Sequence, residues 1–102
     1  MSELKSPTPP TETIHRLKTV ERYFDAVADG RKPFEVRRND RAFQTGDILE
    51  LLKTDEKGYT KYTPGGVGVA KEITLRKRII YLLQGGQFGI EPGFCVLGLG
   101  EP

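Results

Sequence analysis

The chain has 102 residues, 36% of them hydrophobic and 29% charged, with 12 glycines, 7 prolines and a formal net charge of +2. That length suits one domain with one modest core, and the density of turn formers favours strands over a helix bundle. A single cysteine and a single histidine exclude an internal disulfide and a Cys/His zinc site, and no apolar run is long enough to span a bilayer.

Residues 1–12, MSELKSPTPPTE, are polar, proline-rich and without periodicity. They read as a flexible leader, and residues 13–102 as the domain. An apolar signal core is missing near the N-terminus, which with the lone cysteine predicts a cytoplasmic protein. TIHRLK reads as a first strand, with Ile14 and Arg16 on one face and His15 and Leu17 on the other. Thr19 is placed to cap a following helix. In VERYFDAVADG, Val20, Tyr23, Phe24 and Val27 form one apolar helical stripe, and Gly30 suits a left-handed stop. Pro33 opens a second strand, PFEVRR, in which Phe34 and Val36 alternate with Glu35 and Arg37. The expected register puts Phe34 and Val36 in the core and Glu35 and Arg37 on the opposite face.

NDRAFQTGD then reads as a loop, with Asn39, Asp40, Gly46 and Asp47 as turn residues and Phe43 as an anchor. DILELLK is a strongly apolar strand, and TDEKGYTKYTPGG a loop or open hairpin. KEITLRKRIIYLLQ reads as a long, bent strand, because its apolar face changes partway. GGQFGIEPG turns the chain and FCVLGLG closes it. One helix and about five or six strands in mainly local order predict an α+β, mainly β fold, a small barrel with the helix beside it. Its expected core includes Phe24, Phe34, Val36, Leu49, Leu51, Tyr81 and Val96. Cys95, in an apolar strand, is expected to be buried and inert.

Charge is unevenly spread. Residues 31–41 hold Arg31, Lys32, Arg37, Arg38 and Arg41 against Glu35 and Asp40, a local +3, while the remaining 11 basic and 12 acidic groups leave −1. Such a field attracts phosphate-bearing ligands, or it is a solvated turn. Glu35 and Arg37, two residues apart, can pair with each other or act as acceptor and donor toward a base edge or phosphate. His15 is the sole imidazole and has Lys18 nearby; a structural hydrogen bond is its commoner use. Tyr59, Tyr62 and Tyr81 offer stacking surfaces or loop anchors. Phosphate-loop, dinucleotide and serine-nucleophile motifs are missing, and no serine follows Ser6.

Gly30-x-Lys32-x-x-Glu35-x-Arg37, followed by Asn39-Asp40-Arg41 and Gly46-Asp47, together with HRLKT, YLL and FGIEPGFCVLGL, resembles a family of small phage and bacterial proteins of unknown function. That family belongs to the ASCH group of the PUA-like superfamily, and the resemblance covers about residues 14–99. It implies a PUA-like β-barrel with a ligand cleft between helix and barrel, lined by Lys32, Glu35 and Arg37. ASCH domains are proposed to bind RNA or nucleotides. One branch removes the acetyl group of N4-acetylcytidine with a lysine, a threonine and a glutamate. Lys32 aligns with that lysine, Glu35 stands at the threonine position, and Glu72 and Glu91 are candidates for the downstream acid.

The expected function is therefore a binding module for RNA, a nucleotide or a modified base, using Lys32, Glu35 and Arg37. Arg38, Arg41, His15 and Lys18 are further ligand-binding candidates. The alternatives are an amidohydrolase with Lys32 and Glu35 as its polar pair, and a protein-interaction module. No cofactor, metal or membrane partner is expected, and the chain is expected to be a monomer.

Overall fold

The computed structural model describes residues 12–64 and 68–102. The expected leader lies outside the described residues except for Glu12, whose carboxylate accepts from Arg78 Nη2 at 2.9 Å. The elements are β1 (Ile14–Val20), α1 (Glu21–Ala28), β2 (Phe34–Arg38), β3 (Ile48–Thr54), β4 (Thr74–Gln84) and β5 (Phe94–Gly100). Among the described residues no helix is long and apolar enough to cross a membrane.

The strands form one sheet in the order β1-β3-β4-β5-β2. The run β3-β4-β5 is antiparallel and follows the chain, as local order predicts. The outer strands depart from it. β1 pairs parallel with β3, an arrangement that needs a crossover, and α1 with β2 supplies one. β2 is carried to the far edge, antiparallel to β5. No ladder joins β1 to β2 among the described residues, so the sheet is open there rather than closed into a hydrogen-bonded barrel.

The core lies inside the curve of this sheet. Leu17, Leu49, Leu51, Ile79, Cys95, Leu97 and Leu99 point inward, joined by Phe24 and Val27 of α1 and by Phe43. Phe43 is thus the expected loop anchor. The helix packs on β1 and β3 through the Phe24 and Val27 side of its stripe. Lys53 of β3 fixes it further, meeting Glu21 at 3.4 Å and Asp25 at 2.9 Å.

Three sequence expectations are corrected. The register of β2 is reversed: Glu35 is buried, while Phe34 and Val36 are 40% and 49% exposed on the outer face. Phe34 pairs with Gly98, Glu35 with Leu97 and Val36 with Val96, so the strand presents Glu35 and Arg37 inward and Phe34, Val36 and Arg38 outward. Alternation fixes which residues share a face, and a cationic partner for the carboxylate decides which face goes inside. Secondly, Tyr81 and Val96 are not core residues. Ile80 is an extra residue between the Ile79–Leu99 and Tyr81–Gly98 pairs, a bulge that switches the inward parity from Ile79 to Leu82. This is the bend expected of the long strand, and it turns Tyr81 out to 64% exposure. Thirdly, Thr19 does not cap α1. It lies within β1 opposite Lys53, and Val20, the last residue of the strand, takes the N-cap position without a side-chain cap.

Candidate functional site

The open edge between β1 and β2 is where the charged residues converge. Gly30, at φ +85°, ends α1 in the left-handed region expected of it. The chain then turns back so that the Lys32 amide donates to Ala26 O at 2.9 Å. This turn places the Lys32 side chain beside the start of β2. Its Nζ donates to Glu35 Oε1 at 2.5 Å. From the other side Arg37 grips Glu35 Oε2 with Nε at 3.1 Å and Nη2 at 2.9 Å. The Glu35 side chain is only 4% exposed, so its negative charge is confined between two cations.

Arg37 also crosses the open edge. Its Nη2 donates to Lys18 O at 3.0 Å and to Thr19 Oγ1 at 2.9 Å. Further along, Arg41 Nη1 donates to Arg16 O at 3.3 Å. Two carbonyls of the unpaired β1 edge thus accept from guanidinium groups where a neighbouring strand would otherwise donate. The Thr19 hydroxyl in turn donates to Leu17 O at 3.3 Å.

Above this network lies a cleft of about 430 Å³, lined by Lys18, Thr19, Val20, Tyr23, Lys32, Glu35, Val36 and Arg37. Two further concavities follow the same edge and share Arg37, one bordered by Lys18 and Arg41, the other by Arg38, Asp40 and Arg41. The Lys32 ammonium stands 5.2 Å from the Tyr23 ring centroid and 5.1 Å from that of Phe34, so it links the cleft to the outer sheet face. The cleft therefore combines an apolar and aromatic wall with a polar floor.

The structure brings Lys32, Glu35, Arg37 and Lys18 together and sets Arg38 and Arg41 along the continuing groove. His15 stands apart. It shares a 2.8 Å contact with Asp47 Oδ2 and sits edge-on to Phe43, while Asp47 also accepts from the Gln44 amide at 3.0 Å. His15 and Asp47 together fix the β2–β3 connection, as expected of Asp47. Asn39 serves the turn, donating to Gln84 Oε1 at 2.9 Å. Asp40 lies 3.8 Å from Arg41 Nε, and Gly46 turns at φ +99°. Glu72 pairs with Arg16 at 2.7 Å, and Glu91 borders a separate outer depression with Phe94 and Val96; neither lines the cleft. Tyr59 and Tyr62, exposed in the β3–β4 connection, do not line it either. Thr19, Val20, Tyr23 and Val36 are the lining residues not anticipated as site residues. Tyr23 carried a signal, since it is the polar-tipped member of the apolar stripe; Thr19 carried none beyond its resemblance to a cap.

Fold and site together define a small, mainly β domain with one helix and a charged cleft at an open sheet edge. Residues 14–99 match the family described as "Domain of unknown function (DUF3850)", and the chain belongs to that family. It is also similar to an "Uncharacterized 12.9 kDa protein in GpA 3'region" of Escherichia phage P2, with 45% identity over 38 residues. That match spans 37% of this chain and 35% of the phage protein.

Proposed function

We propose that this chain is a PUA-like, ASCH-type binding module that takes a nucleotide or modified base, free or within RNA, in the cleft between α1 and the β1/β2 edge. The observation that carries this reading is the buried Glu35 held between Lys32 and Arg37 on the cleft floor. Both carboxylate oxygens already accept hydrogen bonds, so Glu35 acts as a fixed counter-ion that orients two cations. Lys32 has three ammonium protons and gives one to Glu35; Arg37 keeps its Nη1 group outside the bonds described above. The floor therefore presents donors to acceptor atoms, such as base carbonyls and phosphate oxygens. Tyr23 and Val36 supply the surface against which a planar ring can rest.

The test is titration with the four common nucleosides, their monophosphates and N4-acetylcytidine, followed by calorimetry or NMR. Wild type is expected to bind at least one of them. Lys32→Ala should weaken that ligand tenfold to a hundredfold, the worth of a hydrogen bond to a charged group at about 1.5–3 kcal/mol. Unchanged affinity in Lys32→Ala, or no binding by wild type, would remove the cleft from consideration. The amidohydrolase reading rests on the Lys32–Glu35 contact with Thr19 bound to the same Arg37. Release of acetate from N4-acetylcytidine, abolished in Thr19→Val, would establish it over simple binding.

A further inference from the structure

The reversed register of β2 has a counterpart on the outside of the sheet. The inward turn of Glu35 sends Phe34, Val36 and Arg38 outward, and β5 adds Phe94, Val96 and Gly98 to the same face. The bulge at Ile80 then rotates Tyr81 and Leu83 onto it as well. Two cross-strand rows result, Phe34–Gly98–Tyr81 and Val36–Val96–Leu83. Gly98 leaves the position between the Phe34 and Tyr81 strands without a side chain, and a Cβ there would stand 3.3 Å from that of Tyr81. Phe94 lies beneath the Arg38 guanidinium, 4.9 Å from its ring centroid. A soluble sheet ordinarily covers such a face or makes it polar.

This face joins the basic groove directly. Val36 lines both the cleft and the outer depression, and Lys32 contacts the Phe34 ring. On one side of β2 runs a groove bordered by Lys18, Lys32, Arg37 and Arg41; on the other lie the exposed Phe34 and Tyr81 rings and the half-buried Phe94 beneath Arg38. A cationic groove beside aromatic rings on an outer sheet face is the arrangement that holds a polyanion whose monomers carry flat rings. A second protein copy would gain from the apolar face but would have to place acidic groups along the groove, and the surplus charge of residues 31–41 is +3 by the count given above.

We propose that the outer face of β2, β5 and β4 is a stacking platform for single-stranded nucleic acid, with Tyr81, Phe94 and Phe34 under successive bases and the basic groove along the phosphates. The proposal deepens the cleft reading, since a strand with one base in the cleft continues over Val36 onto this face. It can also fail separately from it.

The probe is a fluorescein-labelled oligouridylate of about eight nucleotides, matched with UMP and read by anisotropy and calorimetry at two salt concentrations. Wild type should bind the oligomer more tightly than the monophosphate, and more weakly as salt rises. Tyr81→Ala and Phe94→Ala should each weaken the oligomer about tenfold and leave the monophosphate untouched. Tyr81 is exposed and Phe94 half-buried on the outer face, outside the core cluster, and circular dichroism should show the fold unchanged. Lys32→Ala separates the two readings. Loss of monophosphate binding in Lys32→Ala, with oligomer binding unaffected by Tyr81→Ala and Phe94→Ala, keeps the cleft and overturns the platform. Oligomer binding that depends on Tyr81 and Phe94 but ignores Lys32 keeps the platform and overturns the cleft. No oligomer binding by wild type, or sedimentation as a dimer that Tyr81→Ala dissociates, overturns the platform in favour of a self-contact.

Discussion

Arg37 is the residue on which most of the site depends. It neutralises a buried carboxylate, bonds Thr19 and reaches the β1 edge with one guanidinium. Arg37→Ala would leave Glu35 buried with Lys32 alone, a loss of about 3 kcal/mol. The expected outcome is a fall in melting temperature of about 10 °C or more, measured by differential scanning calorimetry, alongside any loss of binding. Arg37→Lys should recover little of it, because an ammonium cannot reproduce the fork that meets three acceptors. Cys95 gives a simpler prediction. Burial, followed by the nearby Asp40 charge, raises its thiol pKa, and no part of it reaches solvent. It should resist a thiol reagent such as dithionitrobenzoate in the native protein and react fully in denaturant. Prompt native reaction would show that β5 opens locally.

Among the elements, the inner strands were legible in the sequence and the outer ones only partly. Leu49 and Leu51 of β3 lie in a run so apolar that no choice of face arises. Phe24 and Val27 of α1 were fixed by helical spacing. β2 was not fixed, because alternation reports a pairing of faces and not its sense. The deciding fact is that Lys32, outside the strand, reaches Glu35 from the helix end. The β4–β5 connection hides a comparable constraint at Gly85. A side chain there would collide with the backbone carbonyl oxygens of Glu91 and Phe94. Gly85→Ala should destabilise the protein by about 2 kcal/mol or more, seen as a lower urea midpoint. An equal midpoint would mean that the turn relaxes freely.

For the whole molecule, pH acts most clearly through Glu50 of β3. The hydrogen bond from Arg76, aided by one from Arg16, lowers its carboxyl pKa against the opposing effect of burial. Arg76 and Arg16 each contact it at 2.8 Å, and Arg16 also bonds Glu72, so one carboxylate ties β3 to both of its neighbours. A depressed folded-state pKa contributes stability above the unfolded value, and that contribution is lost as pH falls through the folded one. Thermal midpoints should therefore fall on acidification below the ordinary carboxylate range. Glu50→Gln should flatten that fall and lower the midpoint at neutral pH. A parallel shift at every pH would assign the acid sensitivity to other carboxylates. Strand number and class were readable at this scale, whereas the placement of β2 beside β5 was not, since no local signal encodes a long-range edge pairing.

The open edge between β1 and β2 has a consequence for inheritance. A backbone ladder joins two strands whatever their side chains, and so survives most substitutions. Here the carbonyls of Arg16 and Lys18 meet Arg41 and Arg37 instead. The join is written in two codons, and relatives that change either one must hold their sheets together at this edge by another means.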